Sequence, residues 1–289
     1  MKKLKELKDW YFRKKWILGF VEGGLDAVMS DKPLRVKWVR SPYKDRWFAD
    51  PFILDVADDK YTVLAEELRY GCKGRIAKLT IDRRSMRIVK MSIVLELGTH
   101  LSFPNILRKD GRTYVYPENC TGGRQNIYEY DEQSDRLVEK AAICMDRIWD
   151  SSITTLFGKP RLFAGNRDNY HLDIYDWNEE KRLFEQTASA VSKKQDNRLA
   201  GQLFEYGGSV YCPFQDCSQT YGGAVVIKRV ALAGDGWHLE PVVRHTSPHP
   251  SINLGLHTLN EYKGAVIVDA RGFVRPSARW VYKLKKHNH

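Results

Sequence analysis

The sequence contains 289 residues, and its 47 lysine and arginine residues outnumber the 36 acidic ones by 11. A chain of this length can bury a large core, and its positive charge favours acidic partners without choosing among nucleic acid, anionic lipid and acidic glycan. The five cysteines are scattered and lack CxxC spacing, which predicts free thiols and argues against a disulfide framework or a zinc site. No apolar run reaches the roughly 20 residues of a membrane span, and no signal-peptide cleavage site is recognisable, so the sequence predicts a cytoplasmic protein.

The N-terminal segment, residues 2–18, carries apolar side chains at helical spacing and a strong excess of lysine and arginine. This pattern predicts a short basic amphipathic helix. Such a helix either packs its apolar stripe on the edge of the domain or docks weakly on an anionic membrane surface. Because Gly23-Gly24 ends the pattern, we expect residues 1–30 to be helix and linker, and residues 31–289 to form one folded domain.

A β-hairpin pattern repeats five times in that domain. In the first copy, an apolar strand at 48–54 is followed by a polar turn at 58–60 and a return strand at 61–67. The copies begin at residues 50, 103, 150, 200 and 256, so the steps are 53, 47, 50 and 56 residues. A β-rich repeat near this period predicts the blades of a β-propeller.

Further strands follow each hairpin and complete the predicted blades. Third strands are predicted at 75–81, 126–130, 170–177, 224–230 and 279–284, and fourth strands at 88–97, 137–145, 183–191 and 238–244. Only blade five lacks a fourth strand, and the strand pattern at 34–40 is left over. Placing it as the outer strand of blade five closes the ring and avoids an unpaired strand edge where the ring would otherwise be open. The sequence therefore predicts an all-β, five-bladed propeller with four-stranded blades.

Polar side chains recur at two places in every predicted blade, the start of strand one and the end of strand two. In a propeller these places reach the same face, so we expect the side chains to surround one axial opening that binds a ligand. The candidates are Asp50, Glu67, His100, Glu118, Asp150, Arg167, Arg198, Asp216, His257 and Arg271. A lone histidine such as His257 is more often satisfied by hydrogen bonds than bound to a metal, so no metal or cofactor is predicted.

Sugar chemistry suits such a ring of acids. Two carboxylates across a pocket can act as general acid and base on a glycosidic bond, and a separation of about 6.5–9.5 Å predicts inversion. Asp50 and Asp150 lie two blades apart and can span such a distance; with Glu118 they are the candidate catalytic residues. The other seven candidates are assigned to substrate binding, and nearby aromatic residues such as Trp149 and Tyr221 can stack on sugar rings.

Short motifs distributed along the chain carry a resemblance to a known family. They are Trp47–Phe52, Glu66-Glu67, Lys73–Ala77, His100–Pro104, Trp149–Ser152, Arg198–Gly201 and Gln215–Cys217. They resemble the N-terminal domain of plant glucosamine inositolphosphorylceramide transferase and related stand-alone bacterial proteins. In the plant enzyme the transferase activity belongs to a separate C-terminal domain. The resemblance therefore implies a glycan-related propeller, in bacteria tied to surface polysaccharide metabolism.

The layout is also remotely similar to the five-bladed superfamily of arabinanases, xylosidases and invertases, which includes glycoside hydrolase family 43. This resemblance implies that Asp50 is a general base and Asp150 a second carboxylate. The general acid of that superfamily is a glutamate that opens the fourth blade, and here residues 196–201 contain none. Glu118 or Asp216 could substitute for it. Arg198 in that place suits an anionic ligand such as a uronic acid or a phosphate.

The sequence is compatible with three functions. The first is a propeller that binds a glycan or sugar nucleotide for polysaccharide synthesis, which fits the arginines and the missing acid. The second is an inverting glycoside hydrolase, and the third is a protein-interaction scaffold. Nucleic-acid binding is not predicted, because the sequence has no recognition helix and no aromatic-basic binding motif.

Overall fold

Five four-stranded antiparallel sheets make up a computed structural model that describes residues 11–166, 171–190, 198–234, 236–275 and 277–278. Blade 1 consists of β3 (Arg46–Val56), β4 (Lys60–Arg69), β5 (Arg75–Asp82) and β6 (Arg87–Leu95), and blade 2 of β7 (Ser102–Lys109), β8 (Arg112–Glu118), β9 (Gln125–Asp131) and β10 (Arg136–Cys144). Blade 3 consists of β11 (Ile148–Thr154), β12 (Arg161–Asn166), β13 (Leu172–Asn178) and β14 (Leu183–Ala190), and blade 4 of β15 (Phe204–Tyr206), β16 (Ser209–Asp216), β17 (Ala224–Ala233) and β18 (Gly236–His245). Blade 5 consists of β19 (Gly255–Tyr262), β20 (Ala265–Phe273), β1 (Lys14–Val21) and β2 (Val36–Trp38). The predicted five-bladed, four-stranded architecture is confirmed.

The ring is closed by two N-terminal strands. The prediction that the segment 34–40 forms the outer strand of blade 5 is confirmed, since β2 pairs with β1 at that edge. The third position, predicted for residues 279–284, is taken by β1, which pairs with β20 along its whole length from Lys14↔Phe273 to Val21↔Val266. Residues 279–284 themselves lie outside the described part of the chain.

The helix predicted for residues 2–18 is wrong for residues 14–18, because β1 begins at Lys14. The propeller therefore starts at Lys14 and not at residue 31. The physical reason is burial. Leu18, Phe20 and Val21 are all buried in blade 5, whereas an amphipathic helix on the edge of the domain would bury only one face. A membrane-docking role is left only to residues 1–10, which lie outside the described residues.

The short helix α1 (Gly24–Val28) connects β1 to β2, and a single 3-10 turn (Cys120–Gly122) follows β8. None of the helices in the described part of the chain has the length and apolar character that a membrane span requires.

The same irregularity interrupts strand one in four of the blades. In each of them three steps along strand one oppose two steps along strand two, which defines a β-bulge with one extra residue. The interrupted pairs are Ala49/Phe52, Ser102/Asn105, Trp149/Ser152 and Leu256/Leu259. The bulge brings Asp50, Phe103 and Asp150 into the left-handed region, with φ of 48°, 46° and 42°. Such backbone strain is uncommon outside glycine and is found preferentially at functional sites.

Below these bulges the axial channel is closed by polar side chains from three blades. The Gln202 side chain donates a hydrogen bond to Asn105 Oδ1 at 2.6 Å, which joins blade 4 to blade 2 across the axis. The Gln202 backbone N–H donates to Asn260 Oδ1 at 2.9 Å, and Asn260 Nδ2 donates to the Pro51 carbonyl at 2.9 Å. These hydrogen bonds fill the axis below the bulges with side chains of blades 2, 4 and 5.

Candidate functional site

Asp50 lies at the centre of a buried hydrogen-bond cluster that joins blade 1 to blade 5. Its Oδ1 accepts from Thr258 Oγ1 at 2.8 Å and lies 3.3 Å from His257 Nε2, while its backbone N–H donates to Asp269 Oδ2 at 3.0 Å. The other ring nitrogen, His257 Nδ1, is 2.8 Å from Asp269 Oδ1. Asp269 also accepts the backbone N–H groups of His257 and Thr258, at 3.2 and 3.0 Å. A single carboxylate, Asp269, thus fixes the start of β19 and the bulge of β3.

Burial and neighbouring charges shift the pKa values of Asp50 and His257 in this cluster. Burial raises the pKa of Asp50 to about 7, and the charges of Glu66, Asp269 and Asp150 act in the same direction, while His257 opposes them. Burial alone would lower the pKa of His257, but the carboxylates of Asp269 and Asp50 raise it above its ordinary value. The two acids therefore favour the charged form of the His257 ring, and the raised pKa of Asp50 lets this carboxyl keep its proton to a higher pH than an ordinary aspartate.

A second cluster forms around Asp150, two blades away. Arg198 Nε donates to Asp150 Oδ2 at 2.6 Å, and Gln215 Nε2 donates to the same oxygen at 3.0 Å. Glu118 Oε2 accepts the backbone N–H of Asp150 at 3.2 Å and lies 3.6 Å from Arg198 Nη2. Burial, followed by the charge of Asp150, raises the pKa of Glu118 well above its ordinary value, although Arg198 acts in the opposite direction. Glu118 therefore keeps its proton to a higher pH than an ordinary glutamate does.

Aromatic rings and two guanidinium groups form the walls above the two clusters. The Trp16 ring stacks on the His257 ring, with centroids 3.9 Å apart, and the Tyr221 ring meets the same imidazole edge-on at 5.7 Å. The guanidinium carbons of Arg198 and Arg271 each lie 5.4 Å from the centre of the Tyr221 ring. Tyr221 is 44% exposed, so this ring with its two cations borders the opening.

Glycines bring the Tyr221 loop against blade 5. Gly222 has a φ of 57°, and a Cβ on it would lie 2.4 Å from the Cβ of His257. A Cβ on Gly255 would lie 2.3 Å from the Gly222 carbonyl oxygen. Only residues without a side chain permit this close approach, which positions Tyr221 over His257.

Blade 1 contributes Glu66 and not the predicted Glu67. Glu66 accepts from His100 Nε2 at 2.9 Å, and the Gly74 backbone N–H donates to His100 Nδ1 at 2.9 Å, which fixes the ring proton on Nε2. Glu67 is buried between Arg46 and Arg75, whose nitrogens lie 3.0 Å from its carboxylate oxygens. Consecutive residues of a strand point to opposite faces, so only one of the two acids can face the axis.

The other predicted residues fall in three groups. The structure brings Asp50, Glu118, Asp150, Arg198, His257 and Arg271 to one mouth, with His100 beside Asp50 through Glu66. Asp216 instead accepts from Arg244 at 2.9 Å and from the Ser218 backbone N–H at 2.9 Å, so it stabilises the turn after β16. Arg167 lies outside the described residues.

Trp16 and Thr258 are not among the site residues that the sequence predicts. Trp16 falls in the predicted helix, and helix patterning gives no indication of a stacking partner 241 positions later. Thr258 follows the candidate His257 directly. In a regular strand the side chains of His257 and Thr258 would point to opposite faces of the sheet, and the bulge turns Thr258 to Asp50 as well.

The side chains of Asp50, His257 and Asp269 bring atoms of metal-ligating type within 4.8 Å of one another. In this structure the hydrogen bonds of the cluster already use those atoms: both imidazole nitrogens face carboxylate oxygens, and Asp269 accepts several N–H groups. Hydrogen bonding of the His257 ring to the two acids therefore accounts for the arrangement without a metal ion.

Residues 37–245 match a family model described as glucosamine inositolphosphorylceramide transferase 1, N-terminal. The chain belongs to this family. Among its relatives, the glucosamine inositolphosphorylceramide transferase 1 proteins of Oryza sativa subsp. japonica and Arabidopsis thaliana are 24% and 22% identical over 237 and 226 residues. These matches cover 77% and 73% of this chain but 30% and 29% of the relatives, so the chain spans about 30% of the length of the curated proteins it matches.

Solved structures confirm the remote resemblance at the level of the fold. The RS223 beta-xylosidase is similar with a TM-score of 0.57 and 14% identity, over 74% of this chain and 81% of the other. A GH43_1 enzyme from Xanthomonas citri is similar with a TM-score of 0.54 and 14% identity, over 79% and 88%. The family and this fold together support a carbohydrate-related function for the chain.

Proposed function

We propose that the protein binds an anionic glycan or sugar nucleotide at the axial mouth, as part of polysaccharide metabolism. The observation that carries the proposal is the combination found there: buried carboxylates below, aromatic rings on the walls and two arginines at the rim. Carboxylates accept hydrogen bonds from sugar hydroxyl groups, and an exposed aromatic ring such as Tyr221 offers an apolar face to a sugar ring. Arg198 and Arg271 carry guanidinium N–H groups of the kind that bind a carboxylate or a phosphate on the sugar. Because Asp150 already accepts from the Nε of Arg198, the terminal amino groups of Arg198 are the ones that would donate to the ligand.

Arg198→Ala is expected to weaken binding of an acidic sugar by more than about tenfold, because it removes a charge-assisted donor from the mouth. Calorimetry with galacturonic acid and with galactose measures this effect, after a thermal-shift screen in which native-state binding raises the melting temperature. Arg198→Lys is the matched control, since it keeps the charge next to Asp150 but loses the fork geometry. An unchanged ratio of the affinities for acidic and neutral sugar in Arg198→Ala would contradict the proposal.

The second candidate function is that of an inverting glycoside hydrolase, and it is favoured by the burial of Glu118 beside Asp150, which raises the pKa of Glu118. Glu118 would donate a proton to the leaving group, and Asp50 would act as base in its ionised form, so turnover would rise with pH towards about 7. The departure from the superfamily remains, because Arg198 stands where its acid is expected.

For this second candidate, Glu118→Gln is expected to keep turnover of dinitrophenyl glycosides, whose leaving group needs no acid, and to lose turnover of unactivated glycosides by roughly 100-fold or more. Asp50→Asn should abolish turnover of both, because the attacking water then has no base. A panel of aryl glycosides with different sugars provides the assay. The hydrolase proposal fails if the unmodified protein turns over none of them.

A further inference from the structure

A groove of about 640 Å³ lies between blade 5 and blade 1, on the side of the axial mouth. Its lining includes Trp16, whose ring stacks on His257, and Phe48, which precedes Asp50 by two residues on β3. The groove and the mouth thus share a wall. At the far end lies Arg40, whose backbone N–H donates to the Met86 carbonyl at the start of the outermost strand of blade 1. A chain that leaves the mouth can follow the groove to the rim of the propeller.

Partly exposed aromatic rings line this groove. Trp38, Tyr43 and Trp47 all contribute to its surface. Other rings hold two of them in place: Trp38 meets His249 edge-on at 5.3 Å, and Trp47 lies against Tyr70 at 4.4 Å. Rings that are fixed before a ligand arrives lose little conformational entropy on binding, and they suit the apolar faces of sugar rings.

The charge of the groove is one-sided. Its described lining includes Lys15, Arg40 and Arg46 but no aspartate or glutamate. Arg46 is already neutralised, since it pairs with Asp45 and with Glu67. Lys15 and Arg40 form no ion pair with a carboxylate in the described part of the chain, so their positive charge faces the groove and the solvent around it. An anionic ligand therefore matches this surface better than a neutral one.

Building on the proposed function, we propose that this groove binds the sugar residues that follow the one at the axial mouth. The ligand is then a chain of acidic sugars and not a single sugar unit. The volume of the groove lies within the ~300–1,000 Å³ typical of sites that enclose whole small molecules. Each added sugar that contacts the aromatic rings or the two cations tightens binding until the groove is full.

Calorimetry with galacturonic acid and its oligomers up to the hexamer tests this inference. We expect the hexamer to bind at least about tenfold more tightly than the monomer. The double variant Lys15→Gln/Arg40→Gln should lose most of that gain and keep the monomer affinity, and Trp47→Leu should do the same without any change in charge. The matched control Lys60→Gln/Lys109→Gln removes two charges from exposed side chains at hairpin turns on the opposite face and should keep the gain.

The outcomes separate the two proposals. If the monomer binds but the hexamer binds no more tightly, the groove is excluded and the axial site stands. A gain that survives in both groove variants also excludes the groove. If no member of the series binds, both proposals fail for acidic glycans. Thermal melting of each variant shows whether a lost gain comes from unfolding.

Discussion

Asp269→Ala is expected to destabilise the protein by about 4 kcal/mol, which is the range found when one partner of a buried charged network is removed. Asp269 is 0% exposed and accepts hydrogen bonds from the backbone of Asp50, His257 and Thr258, as well as from the His257 ring. Without it, three buried N–H groups and Nδ1 of the His257 ring lose their acceptor, and one of the hydrogen bonds that join blade 1 to blade 5, from the Asp50 backbone, is lost. Urea unfolding of the variant measures the loss.

The matched control is Asp55→Ala. Asp55 also pairs with a cation of blade 5, Lys263 at 2.8 Å, but its side chain is 55% exposed. A surface ion pair of this kind contributes less than about 1 kcal/mol. If Asp269→Ala unfolds at the same urea concentration as this control, the buried cluster contributes no more to stability than a surface ion pair does.

A pH dependence carried by Asp50 is the second large effect. Folding raises its pKa from 3.8 to about 7, so between these values the folded protein holds a proton that the unfolded chain has lost. The stabilisation from this carboxyl is therefore complete below pH 3.8 and disappears as the pH rises towards 7. One such group makes the free energy of unfolding fall by about 1.4 kcal/mol per pH unit in the middle of this range. The total from pH 5 to pH 7 is about 2 kcal/mol, because the slope halves where the pH reaches the folded pKa.

Asp50→Asn removes this titration, so its free energy of unfolding should change less with pH between 5 and 7. Some slope remains, because Glu66 and Glu118 also have raised pKa values, from burial first, and His257 acts in the same direction at higher pH. Urea unfolding at pH 5, 6, 7 and 8 gives the slopes. Asp55→Asn is the control, since the Lys263 hydrogen bond lowers the pKa of Asp55 and its titration lies below this window. Equal slopes for Asp50→Asn and the unmodified protein would show that Asp50 is ionised throughout.

The location of the site follows from the repeat, whereas its internal geometry follows from the bulges. A β19 without the extra residue would direct His257 and Thr258 to opposite faces of the blade 5 sheet. The bulge brings both to one point, where Thr258 Oγ1 donates to Asp50 Oδ1 at 2.8 Å. The bulges cannot be recognised from the local sequence, because the Ala-Asp-Pro motif at the bulge of β3 and the His-Thr pair at the bulge of β19 share no common pattern.

The choice between adjacent acids also depended on the tertiary structure. Glu66 and Glu67 are equivalent in composition and position, and only the strand phase decides that Glu66 meets His100 while Glu67 is neutralised by Arg46 and Arg75. Asp216 was expected at the mouth for the same reason as Asp150. Instead, Asp216 pairs with the exposed Arg244 and accepts a hydrogen bond from the Ser218 backbone N–H in the turn after β16.

The sequence by itself determined the number of blades, the period of the repeat and the side of the ring on which the polar residues gather, because these depend on spacing along the chain. Only the tertiary structure decided which strand fills the third position of blade 5, which acids point to the axis and which aromatic rings cover them. Those features depend on contacts between residues more than 200 positions apart, such as Trp16 with His257. A local pattern cannot encode such contacts, since the energy of each depends on the partner that the closed ring brings to it.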